Sequence, residues 1–422
     1  MRTNWAGNYA YRAASLLEPA SVAELQRLLP TLTHAKALGA RHSFNSIADT
    51  PGTQISLAHF KSISLDTSDA THPTVTIGAG VTYGELAPVL HQRGFAVPNL
   101  ASLPHISVVG ACATATHGSG LANQCLSTAV SAIDLVTSSG DLLHLSRAEN
   151  PDIFAGAVVA LGALGIITSL TLDLVPTFQV VQTVYENLPF HELERSLVDI
   201  FSAGYSVSLF TDWQQHHASQ AWVKSKLKGK LTSAEPPPAP ETFFGATRQT
   251  AKLHPLPRHS AENCTEQLTP GPWHERLPHF RLDFTPSSGA ELQSEYFVPL
   301  ADGFNAISAV EQLRDRITPL LFITELRTVA ADDLWLSMAY ARDSLAIHFT
   351  WRPEPNAVLS LLPLIEAHLA PFAARPHWGK LFTTSPATLR HLYPKLGAFR
   401  ELTSRLDPRG CFRNEFVAAP LA

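Results

Sequence analysis

In the first third of the chain, apolar residues recur now at helical spacing and now at every second position, so helices and strands are expected in turn. Ser21 to Leu29 (SVAELQRLL) sets a serine N-cap before apolar residues at helical spacing, which predicts a helix. Val75 to Gly80 (VTIGAG) reads as a strand entering a glycine turn. Tyr83 to Gln92 (YGELAPVLHQ) reads as a helix weakened by Pro88. Ile133 to Thr137, the turn Ser-Ser-Gly-Asp, and Leu142 to Leu145 predict a hairpin. From Gly162 to Pro176 a glycine-rich turn leads into a strand with Thr168, Ser169, Thr171 and Asp173 interspersed.

Two later strands carry polar faces. Leu321 to Val329 (LFITELRTV) turns Glu325 and Arg327 the same way, as an exposed face, a local ion pair or a site. Leu345 to Trp351 (LAIHFTW) puts Leu345, Ile347, Phe349 and Trp351 on one face, with Ala346, His348 and Thr350 on the other. That second face suits the floor of a polar cavity or a solvated sheet.

At 422 residues, two domains are the expectation. Pro176 and the composition change after it divide the chain into residues 1–175, residues 176–370, and a C-terminal segment 371–422. Lys224 to Pro257 holds a basic run (KSKLKGK) and EPPPAP, which together read as a solvated excursion. A formal charge of -5 gives no electrostatic reason to expect nucleic acid or an anionic membrane as partner. No apolar stretch approaches the roughly 20 residues of a spanning helix, and no secretory segment is evident. Cys112, Cys125, Cys264 and Cys411 stand far apart with no CxxC pair, which fits free thiols in a cytoplasmic protein and argues against zinc.

Two stretches suggest a ligand. Leu38 to Asn45 (LGARHSFN) holds His42 in a tight turn whose main-chain N–H groups suit phosphate oxygens, although a surface histidine is often merely solvated. Leu100 to Leu121 (LASLPHISVVGACATATHGSGL) is so poor in bulky side chains that its backbone can press against something large and flat. Gly78-Ala79-Gly80 lacks the spacing of a nicotinamide fingerprint.

These stretches closely resemble the FAD domain of the vanillyl-alcohol-oxidase-like flavoenzymes. Gly204 to Trp213, NCTEQ at Asn263, PGPWHERLPHFR at Pro270 and TPSSGAELQSEY at Thr285 extend the resemblance to alditol (xylitol) oxidases, relatives of the aldonolactone oxidases. The resemblance implies an α+β, two-domain fold of the vanillyl-alcohol-oxidase type. Its flavin domain would be mixed α/β, and its substrate domain an antiparallel sheet flanked by helices. It implies FAD tethered through His42 and contacted by Ala40, Arg41, Ser43, Phe44, Asn45, Ser107, Cys112, Ala115, Thr116, His117, Gly118, Ser119, Ile167 and His377. Arg41 departs from the pattern, since glycine precedes the histidine in the relative.

ELR, HFT and HWGK match the family's substrate pocket, which implies Ser107, Glu325, Arg327, His348, Thr350 and Lys380 as polyol ligands and no metal. Oxidation at C1 builds charge on oxygen, so Arg327 and Lys380 are expected to stabilise it, with His348 assisting. Either His348 or a neutral Lys380 could be the base. Asn414, in LDPRGCFRNEF, is a flavin contact or a turn cap. The expected partners are a small polyol and O2, and the expected state is a monomer. A sugar-1,4-lactone oxidase or dehydrogenase of the same superfamily is the alternative.

Overall fold

The computed structural model describes residues 2–227, 239–256, 259–284 and 290–422. The end of the basic run from residue 228, the prolines after it to residue 238, and the start of TPSSGAELQSEY therefore lie outside the described residues.

Three short parallel strands begin the molecule, with Ser15–Leu17 and Ala35–Leu38 flanking Thr53–Ser56. Ala35–Leu38 runs straight into the Gly39 turn and so delivers His42. The expected hairpin forms from Val130–Val136 and Leu142–Ser146. It continues through Ile166–Asp173, Thr74–Gly78 and Ile63–Asp66 into a five-stranded antiparallel sheet. The Ser21 hydroxyl caps the helix Val22–Leu28 by accepting from Glu24 N at 3.2 Å. Tyr83–Gln92 runs unbroken through Pro88. A Thr82–Glu85 capping box and the burial of Leu86 and Leu90 outweigh the one backbone bond proline forfeits.

The ten-stranded sheet begins at Gln179. At its centre Ser206–Thr211, Leu321–Val329, Ser344–Trp351 and Leu292–Pro299 lie side by side, all antiparallel. One face buries Leu326, Leu345, Ile347, Phe349 and Trp351 against the helices Phe190–Ser202, Gly303–Glu311 and Pro355–Leu369. Each such aliphatic side chain contributes about 1.5–3 kcal/mol, enough to hold the register. That register sets Glu325, His348 and Glu295 side by side on three neighbouring strands, with Ile323, Thr350 and Gln293 in the next row. A slip of one residue would turn both rows into the core. The architecture is α+β.

Lys224 overturns the reading of its surroundings as a solvated excursion. It closes the strand His217–Lys226 and is 1% exposed, its ammonium held by the carbonyls of Leu277 and Pro278. Lys226, two residues on and on the same face of the strand, is exposed, its ammonium lying over the Phe178 ring.

After Arg375–Pro376 joins the sheet edge, the chain returns to the first third in the helices Pro386–Leu392, Leu396–Leu406 and Glu415–Leu421. Asn414 caps the last helix by accepting from Val417 N. Its amide donates to the carbonyls of Ser46, Ile47 and Asp49. It is a cap and a brace behind the His42 turn. Among the described residues no helix is long and apolar enough to cross a membrane.

Candidate active site

A cleft of about 800 Å³ separates the first-third sheets from the polar face of the large sheet. One end is lined by small residues, among them Ala37, Gly39, Ala40, Gly80, Ala101, Gly110, Ala111 and Gly162. Gly39 and Gly110 pinch Ser107 between two turns, for a Cβ added at either would lie 2.8 or 2.6 Å from its hydroxyl. Such a smooth, extended wall suits a large planar group with a phosphate tail, and FAD fits it.

His42 stands at this wall, stacked on Trp5 with ring centroids 4.9 Å apart. The N-terminal strap clamps its turn. Trp5 N donates to Arg41 O, Asn4 to Ser43 O and Asn8 to Phe44 O. From the other side Phe44 N donates to Gly379 O, and the Asn45 amide donates to the carbonyls of Trp378 and Lys380. Burial, reinforced by Lys380, His105 and Arg41, brings the His42 imidazole down to about 4. The ring is therefore neutral at physiological pH, as a nucleophilic nitrogen must be.

Arg41 has a φ of +64°, the left-handed region where glycine is unstrained. Its exposed guanidinium donates to Thr3 O at 3.3 Å. Its like-charge influence on His42 is the weakest of the causes just named. Arg41→Gly is expected to leave stability within about 1 kcal/mol, the relief of strain offsetting the added backbone freedom. A larger shift of the denaturation midpoint would mean that the guanidinium itself holds the turn.

Of the residues expected at the flavin, Ala40, Arg41, His42, Ser43, Phe44, Ser107, Thr116, His117, Ile167 and His377 line the cleft. Five do not. Asn45 is the brace just described. Cys112 and Ala115 face the core of the first third. Gly118 lies against Asn99 and Leu100 O. The Ser119 hydroxyl donates to Val207 O and accepts from Thr328 N, stitching the stretch to the large sheet. Alternation of inward and outward residues splits this small-residue run between ligand wall and scaffold.

Glu325, Arg327, His348, Thr350 and Lys380 converge at the other end. Their hub is Glu295, which sequence reasoning missed. Its Oε1 accepts from Arg327 Nη2 at 2.7 Å and from His117 Nε2 at 3.1 Å, and its Oε2 is 3.5 Å from His348 Nδ1. Burial opposes its ionisation, yet the groups around it, His117 and Arg327 foremost, outweigh burial and hold the carboxyl well below its ordinary value. Glu325 is likewise lowered, burial being outweighed by Arg327 and His279. The available signal was the period-two alternation of Gln293, Glu295 and Phe297 against apolar Leu292, Tyr296 and Val298.

Arg327 thus faces two carboxylates, Glu295 and, at 3.6 Å, Glu325. Lys380 donates to Gln293 Oε1 and lies 5.1 Å from the Phe44 ring. Burial lowers it to about 8 against the pull of Glu295, so it remains mostly protonated at neutral pH. Burial also lowers His348, which leaves that ring neutral. His117, Glu295 and His377 place ligand atoms within 4.8 Å of one another. The Arg327 guanidinium already supplies positive charge to the same Glu295 oxygen, which disfavours a metal ion there.

Residues 13–146 match the family model described as FAD binding domain, and residues 290–419 match that of D-arabinono-1,4-lactone oxidase. An alditol oxidase of Streptomyces sp. (strain IKD472 / FERM P-14339) is 48% identical over 98% of this chain and 97% of its own. An L-gulono-1,4-lactone dehydrogenase of Mycobacterium tuberculosis (strain ATCC 25618 / H37Rv) is 30% identical over 98% and 97%. The crystal structure of a cholesterol oxidase from B. sterolicum aligns with a TM-score of 0.77 and 15% identity, covering 100% of this chain and 96% of that one. At that identity the likeness is one of fold alone, and the fold is the two-domain α+β flavoprotein architecture.

Proposed function

The chain belongs to the alditol oxidase family of the FAD-dependent vanillyl-alcohol-oxidase and aldonolactone-oxidase superfamily, and on that premise we propose how it oxidises the C1 hydroxyl of alditols such as xylitol and sorbitol. One observation carries the reading. Glu325 and His348 in one row of the sheet, and Thr350 in the next, meet Arg327 and Lys380 where a small-residue wall that suits FAD ends.

A polyol presents hydroxyls that each donate and accept, and a buried one left unpaired costs about 1–3 kcal/mol. Glu325, Thr350 and Ser107 grip the inner hydroxyls. Lys380 and Arg327 face the C1 oxygen, where negative charge grows as its proton leaves. Neutral His348 takes that proton, and Glu295 Oε2, 3.5 Å from Nδ1, stabilises the imidazolium. Lys380, being mostly protonated, acts as a fixed charge rather than the base. A flavin held along the small-residue wall would supply the two-electron acceptor for the hydride from C1, with O2 as the final oxidant reduced to H2O2.

Neutral, braced and stacked, His42 is the residue we assign to the covalent tether. Wild-type protein precipitated in acid is expected to keep its yellow colour in the pellet, and His42→Ala to release it. Colour released from the wild type would refute the tether.

The lactone-oxidase model over residues 290–419 favours a second reading, oxidation of a sugar lactone. Aerobic H2O2 assays with xylitol, sorbitol and gulono-1,4-lactone separate the two. Turnover of the lactone alone would replace the alditol reading.

A further inference from the structure

Beside Glu325, at the same Oε1 that Arg327 Nε approaches to 3.6 Å, stands a pair of buried groups that the mechanism above does not use. His279 Nε2 is 2.7 Å from Glu325 Oε1, and its Nδ1 is 3.2 Å from Lys224 Nζ. Lys224 also donates to Leu277 O at 2.6 Å and Pro278 O at 2.9 Å. Lys224 and His279 are 1% and 5% exposed. Trp222 and Phe210 pack edge-on against the imidazole.

The donor count is decisive. An ammonium has three N–H groups, and here it meets three acceptors: two carbonyls and the lone pair of Nδ1. With Nδ1 accepting, the ring proton sits on Nε2 and donates to Glu325. Glu325 Oε1 is thereby occupied, while Oε2, which accepts nothing from the described residues, is left for a substrate hydroxyl. A neutral amine has only two N–H groups. Satisfying both carbonyls turns its lone pair on Nδ1, which must then carry the ring proton. Bare Nε2 would face the carboxylate at 2.7 Å, lone pair against lone pair, with the Ser208 hydroxyl at 3.4 Å offering a longer bond in place of the lost one.

We propose that Lys224 and His279 are positioning residues for polyol recognition: the lysine selects the histidine tautomer that orients Glu325 toward the inner hydroxyls. The inference rests on the alditol reading of the site.

The charges around the pair support it. Burial pushes Lys224 down to about 7, opposed by Glu325 and Cys264 and aided by Arg276. Burial brings His279 to about 4, opposed by Glu325 and aided by Lys224 and Arg327, so the ring is neutral and its tautomer matters. The lysine loses its proton as pH rises through about 7, so the alditol KM is expected to climb on that side while kcat follows separately.

The test is steady-state kinetics of the flavin-loaded enzyme on xylitol across pH 6 to 9, with KM and kcat resolved. In Lys224→Met the KM at pH 6.5 is expected to rise about tenfold or more, the worth of one charge-assisted hydrogen bond, with a much smaller change in kcat and no further rise with pH. In His279→Gln a non-titrating amide replaces the Nε2–H donor. It should keep KM near the wild-type value at pH 6.5 and abolish its alkaline rise, and this variant decides the matter if Lys224→Met does not fold. A wild type that turns over xylitol with a KM flat in pH, or variants retaining the wild-type KM profile, would overturn the inference alone. A wild type inactive on every alditol would remove the premise as well.

Discussion

Replacing Lys380 with methionine is expected to lower kcat/KM for xylitol by about 10²–10³-fold, the usual loss when one preorganised charge facing a developing oxyanion is removed. The effect should be large because Glu295, Glu291 and Glu325 offset the Lys380 charge only through space. Arg327 faces Glu295 at 2.7 Å and Glu325 at 3.6 Å, whereas Lys380 donates to the neutral amide of Gln293. Methionine keeps the length that fills the space beside Phe44, so the loss reports charge rather than packing.

The pH profile gives the same argument an independent sign. Lys380 titrates near 8 and must be protonated to act, so kcat should fall as pH rises through about 8. His348, lowered by burial, must be neutral, which sets an acid limb below the ordinary imidazole value. The alkaline limb of kcat should vanish in Lys380→Met. A variant with most of its kcat/KM and an intact alkaline limb would show that another group stabilises the alkoxide.

The second large effect is on stability. Glu295→Ala is expected to destabilise the protein by about 3–5 kcal/mol, because it removes a buried carboxylate and leaves its partners charged or unpaired. Arg327 would keep the 3.6 Å contact with Glu325 and the 3.4 Å bond to Ser102 Oγ, and His117 Nε2 would lose its acceptor. Glu295→Gln, which retains an acceptor oxygen, should cost less, and the difference between the variants measures the charge. Denaturant titration at fixed flavin loading reads both, and an unchanged midpoint for Glu295→Ala would mean that Glu325 alone balances Arg327.

Much of this was legible in the sequence. Period-two alternation placed His348 and Thr350 opposite a fully apolar face, and Glu325 and Arg327 on one side of their strand. Small-residue bias marked the two stretches that build the cofactor wall. Residues at which the backbone itself makes the contact were harder to read. Within Ala111 to Ser119, Cys112, Ala115, Gly118 and Ser119 face scaffold while Ala113, Thr114, Thr116 and His117 face the cleft, and a run of small residues carries too little amphipathic contrast to show which is which.

Local pattern thus determined the elements, the faces they bury, and the candidate chemistry on the polar strands, because side-chain direction along a helix or strand follows from periodicity alone. Tertiary structure decided which polar residues share a site. The hub at Glu295 joins Arg327 and His348 to His117, which lies 178 residues from Glu295 in the chain. Lys224, which in sequence is one lysine of a basic run, becomes a buried partner of His279 only when its strand lies beside the chain at Leu277 and Pro278. Burial and partner charge, which set the protonation of every group in the site, belong to that assembled neighbourhood and to no single segment.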